Sequence, residues 1–358
     1  MKIIDWYIFK KYLTTFVFIM ALLIAITIVI DISEKIDTLL DGGIPLRETI
    51  TQYYFGFIPF ISSLLAPFFI LVAVIFFTSQ LADRSEIIAI LNSGTSFYRF
   101  LVPYFYGATF FFVLLYLGNH YVIPNANKRR IAFEDKYINK VSNNAAFNFH
   151  RALPTGEFIF VESYKPAFGT AYRFSLEKFK KGKMILKLRC DNIAWQKETG
   201  KWQLTNFYRR TLVGEQFKLT KGEVLDTFLP FKPDDFTFFS DSKEMMTTPE
   251  LDNYMAVMRK AGMSNLEFFE VERHRRTSIP FSIFIMTLIG VSLASKKVRG
   301  GLGWHIVLGI ALSATYEIIM KFSVTFSTNA DLPAILGVWI PNFIFGGIAV
   351  FLLYKAPK

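Results

Sequence analysis

The 358-residue chain has one cysteine, Cys190, and four histidines spread along it, His120, His150, His274 and His305. A lone cysteine excludes an internal disulfide, so any domain outside a membrane must rest on its own sheet and core. There is no HExxH and no Cys/His cluster, so no pattern for a metal is present. The scattered histidines read as interfacial or structural. No GxxxxGK[ST] loop occurs, which excludes ATP hydrolysis by the phosphate-loop route. No serine or cysteine nucleophile sits in a recognisable motif, so an enzyme is not indicated. Charge is also scarce. Charged residues make up 19% of the chain against 52% hydrophobic, and phenylalanine alone contributes 40 residues.

What the chain has is long apolar runs. A run of about 20 residues spans a bilayer as a helix. Six occur, at about 9–31, 56–79, 101–123, 278–295, 303–326 and 334–354. The first is too long for a cleavable signal and lacks a small-x-small cleavage site, so it is read as a retained span. Between runs three and four the chain turns polar and alternating. The expected fold class is therefore an α-helical membrane protein with six transmembrane helices plus an all-β, jelly-roll-like domain inserted between helices 3 and 4. The expected divisions are 1–123, 124–276 and 277–358. Basic residues lie before span 1 (Lys2, Lys10, Lys11), between spans 2 and 3 (Arg84, Arg99), between spans 4 and 5 (Lys296, Lys297, Arg299) and at the end (Lys355, Lys358). Six spans put all four places on one side, which the positive-inside rule assigns to the cytoplasm. The inserted domain is then expected in a periplasm. The net charge of +11 is thus partly topology, and no nucleic-acid partner is expected.

Local signals fill in the plan. Span 1 runs on as helix towards Leu40 and a stop at Gly42-Gly43. Pro59 and Pro67 interrupt span 2. Period-two stretches "GEFIFVESY", "AYRFSLEKF", "KMILKLRCDNIAW", "KWQLTNFYRRTL" and "EQFKLTKGEVL" read as strands of a sandwich or jelly roll of roughly eight strands. "TTPELDNYMAVMRKAG" reads as a helix with Thr248 as N-cap, Pro249 at the first position and Gly262 as the stop.

Ionisable residues within a span are costly and count as functional candidates. Glu317 and Lys321 are one turn apart on span 5. They read either as a self-neutralising i,i+4 pair or as part of a polar cavity. Asp31, Glu34 and Lys35 sit at the outer end of span 1, either as a solvated helix end or as part of the same cavity. Lys128, Arg129 and Arg130 follow span 3, and Arg273, Arg275 and Arg276 precede span 4. A basic ring there suits anionic headgroups or phosphates.

Between spans 2 and 3 lies "LADRSEIIAILNSGTSFYRF", residues 81–100. Asp83-x-x-Glu86 resembles a capping box. Ile87, Ile88, Ile90 and Leu91 give an apolar face, and Asn92-Ser93-Gly94 ends the helix. Arg84 and Glu86 at its polar start suit a protein socket. With this stretch, "IDWYIFKKYLTTF", "ELDNYMAVMRKAG" and "PAILGVWIPNFIFG", the chain resembles, over essentially its whole length, the LptF/LptG permeases that export lipopolysaccharide. The resemblance implies an ATP-binding-cassette exporter. Two such permeases associate with a cytoplasmic ATPase dimer (LptB-like). Each offers a coupling helix, here within 81–98, with Asp83, Arg84, Glu86, Ile87, Leu91 and Gly94 as coupling residues. The periplasmic jelly roll hands lipopolysaccharide to bridge proteins (LptC/LptA-like). Lipid enters between span 1 of one subunit and span 5 of the other, which makes Asp31, Lys35, Glu317 and Lys321 gate candidates. No cofactor is implied for this chain itself; ATP and magnesium belong to the ATPase. One departure stands out. G-type members carry a substrate-binding lysine near the outer end of span 1, where this chain has Asp31, with Lys35 one turn later. Two rival readings are a membrane-anchored periplasmic sensor or scaffold without transport, and a lipoprotein-release permease, although the latter usually has four spans.

Overall fold

The computed structural model describes all residues except 1–2, 42–43, 139–145, 154–155, 166–167, 181–182, 197, 215, 230, 232, 234–241, 261–265, 297–300, 331 and 357–358. The expected stops at Gly42-Gly43 and Gly262, and Lys2, Lys297, Arg299 and Lys358, lie outside the described residues. The chain forms two compact units. One joins Met1–Arg130 to Glu267–Lys358, and the other is Ile131–Leu266. The second is narrower than 124–276, because the basic segments flanking it belong to the helical unit.

Helix α1, Ile3–Asp41, contains neither proline nor glycine. Its 39 residues reach about 58 Å at 1.5 Å per residue, well beyond a hydrocarbon core of about 30 Å. Asp5, Ile8, Tyr12, Phe16 and Ile19 are buried at three- and four-residue spacing, which is one face of a helix. The neighbouring Trp6, Val17, Phe18 and Leu22 are exposed, as a helix side facing lipid requires.

A π-helical turn, Thr49–Tyr54, leads into α2, Phe55–Leu64, and then α3, Ala66–Asp83. Span 2 is thus two helices. Leu65 leaves helical geometry (φ −96°, ψ 8°), and Pro67 falls in the first turn of α3, where no helical hydrogen bond needs its missing N–H. A short α4, Glu86–Asn92, precedes α5, Phe97–Leu117. Ser96 caps α5, accepting from the Arg99 N–H at 3.3 Å. A π-helical segment, Gly118–Val122, carries the chain into α6, Ile123–Phe133.

Six strands then form one sheet: β1 Ala146–Leu153, β2 Glu157–Lys165, β3 Thr170–Lys180, β4 Lys183–Gln196, β5 Lys201–Val213 and β6 Gln216–Thr227. They pair antiparallel in sequence order, β1 to β6. Period-two alternation sends Ile159, Val161, Phe174, Leu176, Leu188, Cys190, Trp202 and Leu204 into one core. Phe231 packs there too, and its carbonyl accepts from Trp202 Nε1 at 3.0 Å. All five strands expected from alternation are present, and β1 adds a sixth. The described residues hold six strands where roughly eight were expected. Helix α7, Thr248–Lys260, follows. Its cap sits one residue earlier than expected. The Glu250 carboxylate accepts from the Thr247 N–H at 2.8 Å, and the Thr247 carbonyl takes the first helical bond from Leu251.

The helical unit closes with α8 Glu267–Ala294, α9 Gly301–Asn329 and α10 Ala334–Lys355. Among the described residues six helices are long and apolar enough to cross a membrane, and for span 2 the helix that qualifies is α3 rather than the expected 56–79. Helix α8 packs on α3, α5 and α10, and α9 packs on α3 and α10. A Cβ on Gly290 would sit 2.8 Å from the Val74 side chain, so this glycine lets α8 approach α3 closely. Burial separates centre from edge. The apolar stretch of α3 is 72% buried and that of α8 67%, against 17% for α1 and 28% for α9.

Candidate functional site

The α3–α5 segment differs from its expected form. Helix α3 continues to Asp83, so Asp83 ends one helix rather than capping the next. Ser85 stands at the N-cap of α4 in the left-handed region (φ 60°) and makes no side-chain cap bond. The Asp83–Glu86 capping box is therefore not formed, and α4 has seven residues where about ten were expected. The reason is register. With Ser85 as the hinge, Glu86 is the first helical residue and cannot reach back as a third one does. Ile87 is fully buried, Leu91 half-buried and Ile88 exposed, so α4 is held chiefly by Ile87. Gly94 terminates it with φ +85°, and its N–H bonds the Leu91 carbonyl at 3.0 Å. Asp83 and Arg84 are exposed.

Glu86 is not spent on capping. Its Oε2 accepts from the Tyr7 hydroxyl of α1 at 2.9 Å. Its Oε1 lies 4.0 Å from the Arg84 guanidinium. Close by in sequence, Arg99 at the start of α5 pairs with the buried Asp5 of α1 at 2.6 Å. Tyr7 and Asp5 carried no functional signal in the sequence.

Further along α1, Asp31 is buried and Glu34 exposed. The Asp31 carboxylate accepts from Lys35 at 2.7 Å, from the Tyr53 hydroxyl at 2.9 Å and from the Tyr54 hydroxyl at 3.1 Å. Lys35 also contacts the Tyr53 hydroxyl, and its ammonium lies over the Tyr53 ring at 4.5 Å. A solvated helix end thus describes Glu34 but not Asp31 and Lys35. Those two share the face turned to the π-helical turn, whose aromatic pair shields them.

The basic positions divide. Lys128 and Arg129 are exposed. Arg130 stacks over the Phe60 ring at 4.2 Å and donates from Nε to Asn127 at 3.2 Å. Arg276 turns inward, 3% exposed, and pairs with Glu272 at 3.0 Å. Arg275 takes the other Glu272 oxygen at 2.8 Å. The structure therefore gives Arg276 an internal counter-ion rather than a free face. Glu317 is half-buried within the electrostatic reach of Lys321 and Arg275. Among the described residues, no direct ion pair closes between Glu317 and Lys321, and Lys321 is exposed. An apolar cavity of about 650 Å³ lies beside α1, lined by Phe16 and Met20, by Ser62 and Ile70 of α2 and α3, and by Leu114 and Leu115 of α5.

Residues 6–355 match the family model described as lipopolysaccharide export system permease LptF/LptG. The chain belongs to the LptF/LptG family. It is also similar to the lipopolysaccharide export system permease protein LptG of Haemophilus influenzae, at 25% identity over 165 residues. Those residues make up 45% of this chain and 45% of that protein, so the match spans a little under half of the relative's length. That family's description is of permeases. Six apolar helices with an all-β insertion between the third and fourth are what this LptF/LptG chain builds.

Proposed function

We propose that this chain is the permease subunit of an ATP-driven exporter that extracts lipopolysaccharide from the inner membrane. The observation that carries the reading is α4. It is a short helix between two spans, with Arg84 exposed and Glu86 at its first turn, on a chain with no nucleotide-binding loop of its own. A cytoplasmic ATPase dimer docks there and supplies ATP and magnesium chemistry. The sparse burial of α1 and α9 supports a second LptF/LptG-type permease facing them, with lipid entering between the two subunits. Lys35, Glu317, Lys321, Lys128, Arg129 and Arg130 present charge around that path, and the cavity beside α1 suits an acyl chain by its apolar lining. The sheet is open. Both β1 and β6 lack a second neighbour among the described residues, and β6 exposes Phe217, Leu219 and Val224. Such an edge accepts another strand, which suits hand-off to a periplasmic bridge.

The test is purification in mild detergent followed by reconstitution into liposomes. An ATPase subunit and a second permease are expected to copurify, and lipopolysaccharide release is expected to need ATP. Glu86→Ala should lose the ATPase or uncouple hydrolysis from release. Wild-type assembly and transport in that variant would remove the docking role of α4.

A further inference from the structure

Helix α4 is covalently joined to α3 and α5. Nothing in the chain order ties it to α1, yet the first two turns of α1 bond its first residue and the start of the helix that follows it. Tyr7 donates to Glu86 at the start of α4, and Asp5 pairs with Arg99 just after it. The two contacts differ in character. Asp5 is 5% exposed, so its pair with Arg99 is weakly screened. Tyr7 and Glu86 are more open, and their bond uses only Oε2, leaving Oε1 towards solvent and Arg84. A carboxylate has acceptor sites on both oxygens. Glu86 can thus take a cation from a docked protein without releasing Tyr7.

The rest of α1 fits a lever. Ile8 and Tyr12 are completely buried, and the Tyr12 hydroxyl bonds Thr287 of α8 at 2.9 Å. Beyond Ile24 no residue of α1 is buried until Asp31. The near half of α1 is packed on the helices it would move with, and residues 25–30 are less covered.

We propose that Tyr7 and Asp5 are positioning residues that lock the N-terminal end of α1 to the start of α4 and to the start of α5, so that the near half of α1 moves with this segment when a partner displaces it. This rests on the reading of α4 as the docking helix. The locked end supplies the link that chain connectivity lacks, and the open stretch after Ile24 lets the far half of α1 change its angle.

The experiment uses the complete complex in liposomes, with spin labels at Val29→Cys on α1 and Val113→Cys on α5, both exposed. Two readouts are taken: the ATP-dependent change in label distance, and lipopolysaccharide released per ATP hydrolysed. Tyr7→Phe removes one hydroxyl from an exposed ring and leaves packing intact. Arg99→Gln breaks the second contact. Each should keep the ATPase bound and lose most of the distance change. Release per ATP should fall about tenfold, equivalent to about 1.4 kcal/mol of coupling. Because Arg99→Gln takes a counter-charge away from a buried carboxylate, the swap Asp5→Arg with Arg99→Asp is the control for folding and should recover the distance change. If Tyr7→Phe and Arg99→Gln both keep the wild-type distance change and ratio, the lock is overturned while α4 docking stands. If the wild-type chain binds no ATPase at all, the docking reading falls and the lock falls with it.

Discussion

Asp31 is a carboxylate with three donors: the Lys35 ammonium and the hydroxyls of Tyr53 and Tyr54. A buried charge of this kind is tolerable only because each lone pair in use has a partner. Removing it should cost more than removing any one donor. Asp31→Ala removes the one charged acceptor that a half-buried ammonium and two hydroxyls share, so a loss of roughly 2–4 kcal/mol is expected. Tyr54→Phe deletes one bond and should cost only about 1 kcal/mol. Melting in detergent checks the order, and an Asp31→Ala midpoint no lower than that of Tyr54→Phe would show that the cluster is not cooperative. The sequence picked out Asp31 and Lys35 by their place at the end of an apolar run. It did not pick out the tyrosines. Tyr53 and Tyr54 stand 22 and 23 residues from Asp31, and Tyr7 stands 79 from Glu86. Side-chain pairs that distant leave no periodic trace, because only the packing of whole helices brings them together. The inward turn of Arg276 has another cause: its partner Glu272 lies one helical turn away, a spacing the sequence does show, and only packing decides that this pair turns inward.

At the scale of elements, α4 is far below the length at which an isolated helix holds in water. Its seven residues persist because Ile87 is buried and Gly94 supplies the left-handed stop. Ile87→Ala should therefore loosen the whole segment, at a cost of about 2–4 kcal/mol, whereas Ile88→Ala on the exposed face should change little. Hydrogen exchange over 84–96 reads the difference. Equal protection in both variants would place the anchor elsewhere. Close helix approach gives a second expectation. A Cβ on Gly107 of α5 would overlap the Tyr12 ring. That ring is buried and fixed by its bond to Thr287, so Gly107→Ala should lower the detergent melting point by separating α1 from α5. Elements were legible where periodicity was strong. The six spans and the alternating strands β2 to β6 were read directly. Boundaries were not. Asp83 and Glu86 have the spacing of a capping box, but capping depends on where the preceding helix stops, and α3 runs through Asp83, so α4 begins two residues later than that box needs. In α7 the expected N-cap Thr248 gives way to Thr247, whose N–H donates to Glu250, since both threonines satisfy the cap preference and only the hydrogen bond chooses between them.

For the whole molecule, the basic residues that suggested an orientation meet in two places. Asp5–Arg99 and Tyr7–Glu86 join the start of α1 to the α4 segment. Lys296 donates to the Lys355 carbonyl at 2.7 Å, and His305 lies 3.2 Å from the Lys296 carbonyl, joining the ends of α8 and α10 to the start of α9. An even number of spans brings such ends to one face, and the positive-inside rule is the ground on which that face is proposed to be cytoplasmic. Cysteine labelling tests this in the native background, because Cys190 should be silent. Burial in β4 pushes its thiol from 9.0 up to about 12, and a maleimide reacts with the thiolate. The sign of the linkage agrees. The folded thiol stays neutral while the unfolded one ionises, so this group's contribution to stability is complete below pH 9.0 and fades as pH rises towards about 12. Near neutral pH the intact chain should label at Cys190 only after unfolding. Ser93→Cys beside α4 and Lys221→Cys on β6 then report the two sides, both positions being exposed. An impermeant maleimide added to spheroplasts should reach Lys221→Cys at once and Ser93→Cys only after the membrane is opened. The opposite order would invert the orientation and remove α4 from reach of any cytoplasmic ATPase. Immediate labelling of both would mean an odd number of crossings between Ser93 and Lys221 does not occur, and α5 would no longer count as a span.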